Sequence, residues 1–576
     1  MKIISFLKFI IGEFIIIFSL LFILNNYIGN VDVTIKADGM GYYDYLPATF
    51  IYHDLLDCQK TSLHNSVANM SDGYFIPYKG KCVMKYPCGT AILISPFFFY
   101  AHLTASMQGF PNDGYSKPYQ LSVFYAAVFY LFLGLVFVRK LLLLYNISRL
   151  NIFFVQLFIA LSTSIINYTY YDPAFSHVYS FFAISAFLFF ANSFFNDKKI
   201  NHFICACVFL GIIFLTRNIN ILILLFIPFL AGSWENLIWG IKYLFQNKRK
   251  FLSGILFFFL IIFIQVFLWH SQTGEFLVYS YQGEKFNFSN PAFIDILFSY
   301  RKGLFVYAPV LFLSLFGLFF FIVEKKYFLF FAWIVFFVIL TYVLSSWWAW
   351  YYGCSYGMRA YVDFYPIFCI PLGILIGKFH SYRKILVLLL LIPTIFVNVI
   401  QTYQYKAFIL HWQDMNKEKY WNVFLKTDEQ FRGLAWKKEY SFDNQNTKKV
   451  FSESIPDVVV GAGKEKTIYA AYSDSIPDFN KVNIIQVSFE NDFSEKQKAE
   501  IDLSIKNIKT DKMHYFNNPR LLYFVTGKLN ASQLGEFNYE CSPPSESNNS
   551  IGLMIDAKNK EVRLKNIRIN YLIHKP

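Results

Sequence analysis

The chain has 576 residues, of which 56% are hydrophobic, 21% aromatic and only 16% charged, with a formal net charge of +14 and a mean hydropathy of +0.38. A soluble globule carries about a quarter charged residues, so these are too few to cover a water-exposed surface, and a soluble protein is excluded. The basic excess does not point to nucleic acid. Most Lys and Arg of the first 400 residues fall in short clusters between apolar runs, the pattern of cytoplasmic loops.

Twelve apolar segments begin near residues 9, 91, 119, 151, 176, 201, 218, 252, 304, 327, 361 and 384, several close to the twenty residues that span a bilayer. Lys2 and Lys8 precede the first, as in a signal peptide. No small-residue cleavage site follows, so it is read as an uncleaved helix with a cytoplasmic N-terminus. The clusters Arg139/Lys140/Arg149, Lys198/Lys199, Lys242/Lys248/Arg249/Lys250, Lys325/Lys326 and Lys378/Arg383/Lys384 should all be cytoplasmic. That holds only if one candidate between residues 26 and 118 does not cross. The weakest is AILISPFFFYAHLTA (91–105), short and holding a Pro and a His, which is read as interfacial or re-entrant.

The expected fold is therefore a polytopic α-helical membrane protein of about eleven transmembrane helices (residues 1–402), followed by a β-rich extracytoplasmic domain (403–576). The tail supplies strand-like runs such as EVRLKNIRINYLI and KVNIIQVSFE, broken by turn residues. Residues 26–118, NYTYYDPAFSH, 271–303 and SSWWAWYYGCSYGMR are placed outside. Cys58, Cys82 and Cys88 share the first outer loop, where a disulfide is permitted, but no unique pairing follows.

The unusual chemistry is concentrated in those outer segments. In KADGMGYYDYLP, Asp38 stands just beyond the first helix; it reads either as turn chemistry beside Gly39 or as a general base at the membrane surface. Asp44 reads either as a site residue or as a solvated position on an interfacial helix. Lys85 either reaches lipid headgroups or contacts a phosphate. Asp172 and His177, in NYTYYDPAFSHVYSFF, read either as functional groups at an outer helix junction or as an Asp-Pro helix start and a water-facing histidine. Arg217 in FLTRNINILILL suits an anion, either a substrate phosphate or a lipid headgroup. In SSWWAWYYGCSYGMRAYVDFYP, Trp347, Trp348, Trp350 and Tyr352 stand with Arg359 and Asp363. An aromatic belt accounts for part of this; a loop that stacks aromatic faces on a sugar ring accounts for more.

Taken together, the Asp38 loop, KYPCGTAILISPFF, TYYDPAFSHVYSFF, TRNIN, RKGLFVYAPV and WWAWYYGCSYGMRAYVDFYP resemble the GT-C superfamily of membrane glycosyltransferases over roughly residues 1–400. The protein mannosyltransferase and aminoarabinose transferase branches and their bacterial relatives are similar in layout. The resemblance implies an inverting glycosyltransferase at the outer face of the bacterial inner membrane. It would move a sugar from a polyprenyl-phosphate donor to a glycan, lipid or protein acceptor. Asp38 would be the base, with Asp44 the second catalytic candidate. Lys85, Arg217, Arg301, Arg359 and His177 would be the cations for the donor phosphate, and Tyr42, Tyr43, Asp172 and the Trp347–Tyr352 aromatics the sugar or acceptor contacts. The mannosyltransferase branch has two adjacent acidic residues where this chain has Asp38-Gly39. Some branches need a divalent ion such as Mg or Mn and others do not. The competing readings are a transporter or flippase for lipid-linked sugars, an O-antigen-type polymerase or ligase, and an envelope anchor for the β-rich tail. Only Glu13 is a clear mid-span charge and no internal repeat is visible, which weighs against transport.

Overall fold

A computed structural model describes the chain except for residues 1, 30–32, 57–60, 62–73, 80, 282, 429–430, 432–434, 436–446, 492–498, 509–512, 518–533, 541–547, 558–560 and 575–576. It comprises two compact units, Met1–Tyr403 and Gln404–Pro576.

The first unit is helical because its apolar runs leave the backbone no partner in lipid but itself. In chain order come α1 (Lys2–Ile23), the short α2 (Asp38–Tyr43), a hairpin of β1 (Phe75–Tyr78) and β2 (Lys81–Met84), then α3 (Gly89–Ala105) and α4 (Lys117–Leu144). There follow α5 (Arg149–Leu161), α6 (His177–Asp197), α7 (Ile200–Thr216), α8 (Lys248–Thr273), α9 (Tyr327–Ser345), α10 (Tyr365–Lys378) and α11 (Ser381–Lys406). The chain is a multi-pass membrane protein. Among the described residues eight helices are long and apolar enough to cross a bilayer, or nine if the bent pair Asn218–Ala231 and Trp234–Gln246 is one span. Arg149–Leu161, Ile200–Thr216 and Pro309–Val323 are shorter apolar helices. All twelve apolar segments are thus helical, but a count of eleven crossings is not established by them.

The segment read as interfacial or re-entrant is longer than expected: it is a helix of 20 residues, Gly89–Gln108, that meets the same length and hydropathy criteria as the other candidate spans. Pro96 lies inside it rather than ending it. The proline removes the N–H that Ile92 O would accept, and the Ser95 hydroxyl donates to that carbonyl instead, at 2.8 Å. Tyr130 Oη meets Leu93 O at 2.9 Å and His102 Nδ1 meets Tyr119 Oη at 2.6 Å. These contacts run α3 antiparallel along the first half of α4.

Close helix approaches use glycines. A Cβ on Gly134 would stand 2.6 Å from the Phe181 ring, and one on Gly317 would stand 1.9 Å from Pro371 O. The mid-span carboxylate Glu13 accepts from Arg139 Nε at 2.7 Å and from Gln156 Nε2 at 2.9 Å, all three buried.

The second unit is a β structure. A four-stranded sheet runs β5-β10-β7-β8 and a five-stranded one β3-β11-β6-β9, with β4 pairing β11. Here β3 is Thr447–Ile455, β4 Val458–Val460, β5 Lys464–Tyr472, β6 Ile484–Asn491, β7 Ala499–Asn507, β8 Met513–Asn517, β9 Leu534–Glu540, β10 Asn549–Ala557 and β11 Val562–His574. Alternating residues such as Ile501, Leu503, Ile505, Ile551, Leu553, Ile555, Ile567 and Ile569 form one core, as strands with one buried face require.

Candidate functional site

Asp38 opens α2 after Ala37, which takes a positive φ of 47°. Gly39 and Gly41 follow because nothing larger fits. A Cβ on Gly39 would lie 2.6 Å from Ala174 Cβ, and one on Gly41 would lie 2.8 Å from Tyr74 and Tyr86 ring atoms. The Asp38 carboxylate is brought against Arg359, which stands 321 residues further on, with Nη1 at 2.5 Å from Oδ2. Tyr74 Oη donates to Asp38 Oδ1 at 3.2 Å. Tyr42 stacks on Tyr86 at 4.3 Å, and Tyr86 also meets Tyr74 at 5.6 Å and Tyr281 at 6.2 Å. Four tyrosines therefore surround one carboxylate–guanidinium pair.

Arg359 is delivered by a turn that depends on glycine. Gly353 and Gly357 both have positive φ, and a Cβ on Gly357 would stand 2.5 Å from Ser164 Oγ. A 3₁₀ helix, Arg359–Phe364, then carries Asp363 to a second cluster. Asp363 is fully buried. It meets His177 Nδ1 at 2.7 Å, accepts from Asn220 Nδ2 at 2.7 Å, and pairs with Arg217 Nη1 at 3.4 Å. Arg217 ends α7 in an extended conformation, φ −158° and ψ 110°, and the next residues run on as a 3₁₀ helix, Asn218–Phe226. That break aims the guanidinium at Asp363 and leaves it 5.8 Å from the Tyr352 ring centroid. One six-residue segment thus anchors both arginines: Arg359 on Asp38, and Arg217 through Asp363.

The electrostatics follow from these pairs. Burial pushes the Asp38 carboxyl up, but the Arg359 guanidinium, with hydrogen bonds from Tyr86 and Tyr74, outweighs it and holds Asp38 below the usual carboxylate range. Burial raises the phenols of Tyr42, Tyr74 and Tyr86, so at neutral pH they stay protonated and can donate. Both guanidiniums act on Tyr42. The side chains of Arg217 and Arg359 are each 15% exposed and that of Asp38 is 21% exposed. The arrangement offers an accessible carboxylate able to accept a proton and two guanidiniums able to accept an anion.

Of the residues singled out in the sequence, Asp38, Arg217, Arg359, His177, Tyr42 and Tyr352 come together here. His177 is buried, with its Nδ1 held by Asp363. It orients the cluster and does not stand in water as a free cation. Asp44 is not a solvated helix residue; it is buried and accepts from Tyr115 Oη at 2.8 Å. Tyr43 is turned away, its hydroxyl on Gly114 O at 2.6 Å. Asp172 is buried beside Lys36, 3.6 Å away, and Asn167. Burial raises its carboxyl, with Lys36 and Asn167 opposing. Lys85 pairs with Glu284 at 2.7 Å, and Arg301 lies over Tyr351 at 3.5 Å. Trp347 packs edge-on against Tyr281 at 5.7 Å, Trp350 against Tyr351 at 6.0 Å, and Trp348 is exposed. Tyr74, Tyr281, Asn220 and Glu284 were not singled out. Cys82 is disulfide-bonded, and Cys88 is a buried free thiol.

The site does not fit a divalent ion. Its accessible carboxylate is taken by Arg359, and among the described residues no group of three His, Cys, Asp or Glu could hold a metal. Dialysis against EDTA is expected to leave the melting temperature of the purified protein unchanged; a fall on chelation that Mg or Mn reverses would contradict this.

No protein-family model matches the chain, and no curated protein sequence matches it. Among solved structures, it is similar to the archaeal oligosaccharyltransferase AglB from Archaeoglobus fulgidus, in complex with an inhibitory peptide and a dolichol-phosphate, with 11% identity and a TM-score of 0.39 over 76% of this chain. It is similar also to the Archaeoglobus fulgidus oligosaccharyltransferase in the apo form, with 10% identity and a TM-score of 0.38 over 75% of this chain. The matches span 59% of each solved chain.

Proposed function

We propose that the chain is a GT-C-type inverting glycosyltransferase. It takes a sugar from a polyprenyl-phosphate donor and places it on an envelope acceptor at the outer face of a bacterial inner membrane. The observation that carries this reading is the Asp38–Arg359 pair, accessible at the start of α2 in the loop that follows the first span, with Arg217 anchored beside it by Asp363. A lipid-linked donor has its tail in the bilayer and its phosphate at the boundary, which is where a carboxylate following a span is expected to be useful. In this reading Gly89–Gln108, although long enough to span, does not cross, so the basic clusters lie in the cytoplasm and residues 403–576 form an extracytoplasmic domain.

The step conserves atoms and charge. The acceptor oxygen or nitrogen forms a bond to the anomeric carbon as the carbon–phosphate-oxygen bond breaks on the opposite face. The acceptor's proton passes to Asp38, and the polyprenyl phosphate leaves with one more negative charge. Asp38 becomes neutral as the phosphate gains that charge, so Arg359 loses one partner when it is offered another. Arg217 supplies the second guanidinium and needs no proton transfer of its own. Held low by Arg359, Asp38 is a weak base, so it receives the proton late, when bond formation has already acidified the nucleophile.

Two measurements test the reading. A polyprenyl monophosphate, the product, should raise the melting temperature of the wild type, by the equivalent of about 2.7 kcal/mol at a hundred times its Kd. It should do so much less for Arg217→Gln; equal shifts in both proteins would place the phosphate elsewhere. The second is a pH profile. Because Asp38 is held below the ordinary carboxylate value of about 3.9, it stays ionised as the pH falls to that value. Transfer should therefore not decline on the acid side until about pH 4 or lower. In Arg359→Gln the largest lowering contribution is gone while burial and the weaker tyrosine hydrogen bonds remain, so the acid limb of the residual rate should move to higher pH. An unmoved limb would show that the titrating group is not Asp38.

A further inference from the structure

We infer that residues 274–281 and 283–298 lie in the leaflet on the Asp38 side of the membrane as a lipid-immersed wall of the site. This rests on the protein being a membrane protein and not on the glycosyltransferase reading. Gly274, with a φ of +80°, ends α8 and turns the chain back. From there the segment has two faces. The inner one is polar: the Ser280 hydroxyl donates to Lys85 O at 2.6 Å, Glu284 pairs with Lys85, and Tyr281 meets Tyr86 beside Asp38. Glu275 pairs with Lys79 and accepts from Tyr78 at 2.7 Å, holding the segment to the β1–β2 hairpin.

The outer face is apolar. Phe276, Leu277, Tyr279, Phe288, Ile294 and Phe298 each expose between 46% and 78% of their surface. Aromatic side chains carry about 150–250 Å² each, so this face exceeds the few hundred Å² that a water-exposed surface tolerates. Its edges identify what covers it. Phe276 stacks on His270 of α8 at 4.4 Å, and Phe288 packs on Tyr342 of α9 at 5.8 Å, whose hydroxyl donates to Phe288 O at 2.8 Å. Phe298 meets Phe312, in the apolar helix Pro309–Val323, at 6.4 Å. The patch is therefore continuous with exposed apolar residues of three helices, among them Phe263 and Phe267 of α8, Val338 of α9, and Phe316. Exposed Lys285 and Asp295 set the depth at the interface, where Lys can reach headgroups from an apolar stem. A bilayer-held molecule would then meet Tyr281 without crossing water.

The test uses the full chain in nanodiscs of phosphatidylethanolamine and phosphatidylglycerol. Cys354, an exposed cysteine, is replaced by Ser, and single cysteines are introduced by Leu277→Cys and Ile294→Cys, each labelled with a polarity-sensitive fluorophore. Tyr472→Cys, at an exposed position of the second unit, is the reference. The first two labels should emit at shorter wavelength than the third and be quenched by lipids brominated near the carbonyl, with little quenching by aqueous iodide. Iodide quenching equal to that at 472, with none from brominated lipid, would overturn the inference. Protection from both quenchers would overturn it as well, by showing that protein, either the second unit or a partner, covers the patch.

Discussion

Asp38→Asn is expected to lower the rate of sugar transfer by about 10²–10⁴-fold, the range that a positioned general base contributes. The substitution keeps the shape of the side chain and removes its ability to take a proton. Arg359 would lose an ionic partner at 2.5 Å, so some loss of stability accompanies it, tempered because both side chains are partly exposed. Two controls separate the effects. Melting temperature reports the structural part, and binding of a polyprenyl monophosphate reports whether the guanidiniums still receive an anion. A mutant that binds the lipid phosphate but does not transfer identifies Asp38 as the base. A mutant that transfers at the wild-type rate removes Asp38 from the chemistry.

Asp363→Asn is the second substitution with a large expected effect, and it acts by a different route. Asp363 is fully buried and holds His177, Asn220 and Arg217 at once. Removing one partner of a buried ion pair costs about 3–5 kcal/mol, because the other charge is left uncompensated. The variant should therefore melt well below wild type and lose affinity for the lipid phosphate, since Arg217 is no longer aimed. Asp363 does not reach the reacting atoms in this scheme, so its effect should fall on binding of the donor more than on the bound-state rate. A variant of wild-type stability and donor affinity would mean that Asp363 anchors nothing of consequence.

The helical framework was legible because a bilayer demands long apolar runs, and all twelve runs are helices. Where the reading slipped, local signals were outweighed. Pro96 counted against a long helix, but the Ser95 hydroxyl donates to the Ile92 carbonyl that the proline leaves without its N–H. Asp44 looked solvated on an amphipathic pattern, whereas Tyr115, 71 residues away, buries it. The site was legible in its charges, since ionisable residues at the ends of spans are costly without a use. Its pairing was not, because Asp38 with Arg359 and Asp363 with Arg217 are contacts across the fold that no spacing encodes. Tyr74 and Tyr281 were passed over for a related reason. Among 41 tyrosines, two more carry no signal until the fold sets them beside Asp38. The tryptophans drew notice by their density, yet Trp348 is exposed and Trp350 packs on its neighbour.

The central claim is that the outer site performs transfer from a lipid phosphate. Purified wild type in nanodiscs, given a panel of polyprenyl-phosphate sugars labelled in the sugar and a native envelope extract, tests it most directly. The expected result is label leaving the lipid fraction for the extract with one of the donors, without added metal. Label that stays on the lipid with every donor, while the lipid-linked sugar crosses the bilayer of a proteoliposome, would contradict the claim and favour transport.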